Sequence, residues 1–286
     1  MPRTVPEAAA ETTAQAVAKA AAVQSPAGYL RSSVLAGVYV GIAVVLLVSV
    51  SAPLAAAGSP VTRLVQAAVF GLALTLVVFA GAELFTGNVM VMAHGISRRA
   101  TAWRSAGLVG GLSLLGNAVG SLALAGAVHL SGVLGSPAGA TGPSPAVALL
   151  DGIVAAKDAA TGPQLFWRAV LCNALVCLAV WMATRAATDG ARLAVLWWGL
   201  LAFIGSGFEH SIANATIFSI GALEGSIGWG ALARNLAWTV PGNVVGGGLV
   251  IGLGYAWMAG ARTAKATAPA TEPAVRVAAA LEPAMA

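Results

Sequence analysis

Six long apolar stretches, separated by short polar ones, run along the chain at approximately residues 32–51, 64–94, 105–130, 166–184, 193–222 and 232–260. A straight membrane span needs roughly 20 apolar residues, so each stretch predicts a transmembrane helix. The second and fifth are too long for one straight span. Each carries a polar cluster near its middle, Glu83-Leu84-Phe85-Thr86-Gly87-Asn88 and Glu209-His210-Ser211-Ile212-Ala213-Asn214. A long hydrophobic segment with a polar interruption is how a broken helix reads in sequence.

The polar markers also repeat. Glu83 and Asn88 recur as Glu209 and Asn214, and Gly116-Asn117-Ala118-Val119-Gly120 recurs as Gly242-Asn243-Val244-Val245-Gly246, every pair 126 residues apart. The spacing predicts two three-span halves. An odd number of spans per half inverts one half relative to the other, and the two broken spans then meet near mid-membrane, where transporters commonly place their site. Glycines four apart (Gly37/Gly41, Gly116/Gly120, Gly242/Gly246, Gly248/Gly252) would let helix backbones approach closely.

Composition strengthens this picture: 58% of residues are hydrophobic and 9% charged, too few charges to cover a soluble surface. The net charge of +5 does not indicate nucleic acid, because the basic residues flank apolar stretches and do not cluster with aromatics. With both termini on one side, that side holds eleven Lys and Arg (Arg3, Lys19, Arg31, Arg98, Arg99, Arg104, Arg185, Arg192, Arg262, Lys265, Arg276). The other holds four: Arg63, Lys157, Arg168 and Arg234. By the positive-inside rule the termini are cytoplasmic, residues 135–165 face outward, and residues 95–104 and 185–192 face inward. Residues 1–28 lack the compact apolar core of a signal peptide and predict a cytoplasmic arm, helical or disordered. Residues 29–262 form the transport domain, and 263–286 predict a disordered cytoplasmic tail. Cys172 and Cys177, five apart in one apolar run, point to different helix faces and read as small core residues, with no disulfide.

Few residues carry chemistry. His210 is the histidine deep inside a span, and an intramembrane ionisable group is a functional candidate by default. Glu83 and Glu209 could form an acid–base pair, but they read better as support for backbone groups freed by the helix breaks, with Asn88, Asn117, Asn214 and Asn243. Thr86 is a candidate N-cap for the second half of its span and a candidate partner for substrate. Lys157 reads as a solvated loop lysine or as a charge at the outer mouth. Phe70, Leu74, Phe85, Val176 and Phe203 read as membrane core or as an apolar constriction. His94 and His129, near span ends, read as interfacial. His-Glu-x-x-His, paired cysteines at zinc spacing, a Walker loop and Gly-x-Ser-x-Gly are all missing. No enzyme activity, metal or cofactor is therefore expected.

Within residues 29–260, the stretches 70–88 (ending Glu83-Leu-Phe-Thr-Gly-Asn88), 171–182 (Leu171-Cys-Asn-Ala-Leu-Val-Cys-Leu-Ala-Val-Trp-Met182), 200–214 (ending Phe208-Glu-His-Ser-Ile-Ala-Asn214) and 234–243 resemble the formate–nitrite transporter family, most closely its bacterial nitrite-transporting branch. The resemblance implies an aquaporin-like all-α membrane fold in a homopentamer of independent pores in the cell membrane. Its substrates would be small monovalent anions, nitrite first and then formate or hydrosulfide, with protons as a second partner. It also implies that His210 is the family's central histidine, Thr86 the threonine of its mobile loop, and Lys157 the outer lysine that draws anions inward, followed by Asn173. Glu209 and Asn214 would border the same path, and Phe70, Leu74, Phe85, Val176 and Phe203 would form the constrictions. Ala174, Ala215 and Pro241 depart from the family pattern, which more often has Trp, Met and Leu there. A neutral-solute channel of the aquaporin type is the alternative, but its paired Asn-Pro-Ala motifs are missing.

Overall fold

The computed structural model describes residues 1–135 and 142–260. The expected tail at 263–286, the domain edge at 262 and part of the expected outward segment, 136–141, lie outside the described residues. Among the described residues every regular element is helical: α1 (Val5–Ala22), α2 (Pro26–Ala56), α3 (Thr62–Val69), α4 (Leu72–Phe79), α5 (Phe85–Ser97), α6 (Trp103–Ser131), α7 (Pro145–Asp158), α8 (Gly162–Arg185), α9 (Asp189–Ser206), α10 (Ser211–Leu223), α11 (Trp229–Val244), a π-helical segment (Val245–Leu253) and α12 (Gly254–Met258).

Five segments are long and apolar enough to cross a bilayer: Pro26–Ala56, Thr62–Phe79, Trp103–Ser131, Gly162–Arg185 and Trp229–Met258. The pair α9 and α10, bent by 56° at its break, makes the sixth. The chain is a multi-pass membrane protein. α5 and α10 have 13 residues each, about 20 Å of helix, against a hydrocarbon core of about 30 Å. Each therefore reaches only part of the way across.

The inverted halves are visible in their packing. α2 lies along α6 as α8 lies along α11. A Cβ at Gly120 would collide with the Val34 carbonyl, and one at Gly246 with the Val170 carbonyl. These close approaches explain two of the glycine pairs; Gly248, whose nearest neighbour would be 3.7 Å from a Cβ, is not such a site. Val34 and Val170 are 136 residues apart, not 126, because α2 and the connection after it are longer than α8 and the connection after it. The first span of each half is for that reason out of register with the repeat seen in sequence.

Three expectations change. The arm does not extend to residue 28, since α2 begins at Pro26. Residues 5–22 are helical, with a Thr4–Glu7 capping box, and α1 buries Ala8, Ala9, Thr12 and Ala16. Two hydrogen bonds latch the arm: the Arg3 backbone N–H donates to the Arg185 carbonyl (2.8 Å) and the Arg185 side-chain Nε to the Arg3 carbonyl (2.9 Å). His94 is not interfacial. It is 1% exposed, with Nε2 3.1 Å from the Ala9 carbonyl of α1, so it pins the arm to α5. Lys157 is not in a loop but in the last turn of α7. His129 is partly exposed and lies 2.8 Å from Glu224, and both cysteines are free and buried.

Candidate functional site

Each helix break exposes backbone groups that lipid cannot satisfy, and an asparagine from the third span of each half fills the gap. Asn117 Oδ1 accepts from the Phe85 N–H (2.8 Å), while its Nδ2 donates to the Ser33 and Glu83 carbonyls (2.7 and 2.9 Å). Asn243 repeats this, accepting from the Ser211 N–H (2.9 Å) and donating to the Ala169 and Glu209 carbonyls (2.8 and 3.1 Å). Glu83, Glu209, Asn88 and Asn214 act differently from the expected backbone support, because each bonds other side chains. Glu83 takes Lys19 (2.6 Å), Tyr29 (3.0 Å) and Asn88 (2.9 Å), and Glu209 takes Lys157 (2.8 Å) and Asn214 (2.6 Å). They are centres of side-chain networks, one on either side of the protein.

Between the networks the N-termini of α5 and α10 meet. His210 is the N-cap of α10, and its Nδ1 accepts from the Ala213 N–H at 3.2 Å. A ring nitrogen that accepts carries no proton, so the neutral imidazole is the Nε2–H tautomer. That nitrogen lies 3.1 Å from Thr86 Oγ1 and donates to it, leaving the threonine hydroxyl hydrogen available. Thr86 is thus not the N-cap of α5, which is Leu84 without a side-chain cap bond. Asn173 Nδ2 (3.1 Å) and Cys177 Sγ (3.2 Å) both donate to the Thr86 carbonyl. Asn173 also reaches the Asn243 carbonyl at 2.7 Å, tying α5 and α11 to α8. Two helix N-termini with their partial positive charge, an imidazole N–H and a hydroxyl suit a small anion or a polar molecule.

Two cavities approach this centre from opposite sides. One, of about 750 Å³, is lined by Lys157, Glu209, His210 and Asn214; the other, of about 450 Å³, by Lys19, Glu83, Asn88 and Thr184. Between them is a chamber of about 10 Å³ lined by Val40, Phe70, Ala73, Leu74, Leu84, Val176, Leu200, Phe203 and His210. A cavity needs roughly 10–15 Å³ to hold one water, so no hydrated ion fits. Four of the five expected constriction residues are there and Phe85 is not. Its ring turns toward Gly110 of α6, and Leu84, the residue 126 before His210, takes that place. The two breaks therefore present an alkyl group from one half and an imidazole from the other, with the Phe203 ring 5.9 Å from the imidazole centroid.

Sequence reasoning missed Lys19, Leu84, Val40, Leu200 and Cys177. Lys19 had a signal: the repeated glutamates each need a cation, and the chain has only three lysines. Lys19 and Lys157 come from unrelated elements, α1 and α7, so no repeat pairs them. Of the departures, Ala174 contacts the space a Cβ at Gly246 would need, Ala215 is buried on α10, and Pro241 lies inside α11, four residues before the π-helical segment.

The profile described as Formate/nitrite transporter matches residues 6–257. The nitrite transporter NirC of Escherichia coli K12 is 38% identical over 252 residues, covering 87% of this chain and 88% of that one. A probable formate transporter of Methanothermobacter thermautotrophicus is 36% identical over 243 residues, 78% of this chain and 85% of the relative. Among solved structures, an FNT family ion channel superposes with a TM-score of 0.79 at 34% identity, covering 88% of this chain and 98% of its own. A pentameric formate channel with formate bound gives 0.70 at 28%, covering 83% and 98%. With mirrored half-helices, a central imidazole and a family profile spanning nearly all described residues, this chain belongs to the formate/nitrite transporter family.

Proposed function

We propose that the chain carries nitrite across the cell membrane together with a proton, and that it has no enzymatic role. The observation that carries this reading is the Thr86–His210 pair at the meeting of two helix N-termini, closed off by an apolar chamber too small for a hydrated ion. A bare anion there would lose its water without a compensating charge, at a cost of several kcal/mol. An anion sharing a proton with the site avoids most of that cost. The E. coli relative favours nitrite, and the Methanothermobacter relative and the formate-bound structure favour formate as a second substrate of the same site. The pentameric state of that structural relative is carried over as the proposed assembly. Its subunit and lipid contacts would use exposed apolar side chains such as Leu115, Val119, Trp198 and Leu249. Swelling of proteoliposomes in sodium nitrite and in glycerol tests the reading: swelling in glycerol with none in nitrite would assign a neutral-solute channel instead.

The eleven-to-four distribution of basic residues supports cytoplasmic termini, which puts the Lys157 cavity outside. Ser144, in the predicted outward segment, is a buried N-cap, so exposed Ala159 and Ala100 are the better probes. On intact cells an impermeant thiol reagent should label Ala159→Cys and spare Ala100→Cys. Both native cysteines are fully buried and give no background. The reverse pattern would invert the orientation.

Lys157 is 17% exposed and paired with a 3% exposed Glu209, so it is not a free attracting charge. Lys157→Ala would leave a buried carboxylate uncompensated beside the anion path. Uptake should fall at least tenfold, and high salt should not restore it, because screening barely reaches buried charges. Recovery of the parent rate at high ionic strength would return Lys157 to long-range attraction.

A further inference from the structure

The Lys157-side cavity holds three cations, Arg63, Lys157 and Arg168, against the single carboxylate Glu209. Lys157 is bound to that carboxylate at 2.8 Å. Neither guanidinium has an ion pair or side-chain hydrogen bond among the described residues. The opposite cavity differs. There Lys19 is paired with Glu83, Arg192 with Asp189 (3.2 Å), and the Arg3 guanidinium donates to the Thr184 carbonyl (2.8 Å).

The inverted repeat shows that both free arginines are additions to one side of a symmetric frame. The Glu83 N–H donates to the Ser32 carbonyl and the Glu209 N–H to the Arg168 carbonyl, each at 3.3 Å. Residues 32 and 168 are thus equivalent. In one half the side chain is a serine bonded to the Gly81 carbonyl (3.3 Å); in the other it is a guanidinium lining the cavity. Gly81 and Gly207 are likewise equivalent, both with φ of 75° at the start of a break. The space beside Gly81 is open, whereas the Arg63 guanidinium lies directly against Gly207. Two separate departures thus put unpaired guanidinium groups on the wall of the one cavity that Glu209 and His210 also line.

We propose that Arg63 and Arg168 form an anion-capture site at this mouth, selective for small planar anions with two oxygens, the class of nitrite and formate. A guanidinium presents parallel N–H donors that match two oxygens of one anion and is itself weakly hydrated. Capture there concentrates the anion and replaces part of its water before it meets the Lys157–Glu209 pair. The proposal rests on the anion-transport reading.

The test uses full-length protein. Initial nitrite uptake into proteoliposomes is measured for the parent, Arg63→Gln/Arg168→Gln and Arg63→Lys/Arg168→Lys, at about 10 mM and about 0.5 M ionic strength, which bracket long and short Debye lengths. At low salt the Gln pair should raise KM about fivefold, more than kcat falls, and the difference should vanish at high salt. The Lys pair should keep the salt dependence but lose preference for nitrite over hydrosulfide. Independently, on purified parent protein, nitrite should slow phenylglyoxal modification of Arg63 and Arg168 and leave the exposed Arg31 unaffected. A parental KM and salt response in the Gln pair, or equal modification with and without nitrite, overturns the site. Protection in a parent that carries no nitrite would instead overturn the transport reading and leave the site standing.

Discussion

His210→Phe is expected to abolish the acceleration of inward nitrite flux by external acid, and to lower flux at pH 6 by at least tenfold. Anion entry alone against a negative interior costs roughly 2.3 kcal/mol per 100 mV, and dehydration at the apolar chamber adds several kcal/mol. A proton shared at the centre reduces both costs. The imidazole suits the task because its ring lines the chamber, its Nδ1 is occupied by the Ala213 N–H and its Nε2–H is directed at Thr86. Phenylalanine fills similar space beside Phe203 but offers no proton and no cap for Ala213. His210→Asn keeps a polar cap of α10 and separates that structural role from proton sharing. Flux would be followed in liposomes across pH 5–8. A folded His210→Phe or His210→Asn protein with the parent's pH response would reduce His210 to a helix cap.

Asn243→Leu and Asn117→Leu should each prevent stable assembly. Each asparagine holds two backbone groups at a break and one carbonyl of the neighbouring first span of its half. Hydrogen bonds within membranes average only about 0.6 kcal/mol when both partners are removed or repaired. Here one partner goes and the two break groups, an N–H and a carbonyl, are left unpaired, at about 1–3 kcal/mol each, so at least about 2 kcal/mol is lost. Thermal unfolding in detergent, followed by size-exclusion chromatography, should show a midpoint lowered by more than about 5 °C or no monodisperse peak. A parental melting curve for either variant would show that the breaks are held by other contacts.

The architecture was largely legible in the chain. Lipid forbids unpaired backbone, so spans must be helical and breaks must carry polar side chains; run length and the two clusters then define six spans with the second and fifth broken. The Glu, Asn and Gly repeat at one offset marks the inverted halves because both halves solve the same backbone problem with the same residues. Side-chain destinations were less legible. Glu83 and Glu209 look like backbone support in sequence, but they bind Lys19 and Lys157, which arrive from α1 and α7, elements with no place in the repeat. Phe85 looks like a pore residue, yet its position in the first turn of α5 turns it to α6 and gives the chamber to Leu84. The difference is physical: hydropathy and backbone satisfaction act along the chain and leave a periodic record, whereas ion pairing and pore lining depend on which helix faces meet across distant segments. Only the tertiary structure pairs Lys157 with Glu209 and leaves Arg63 and Arg168 unpaired, because that outcome depends on distances in space that no spacing along the sequence encodes.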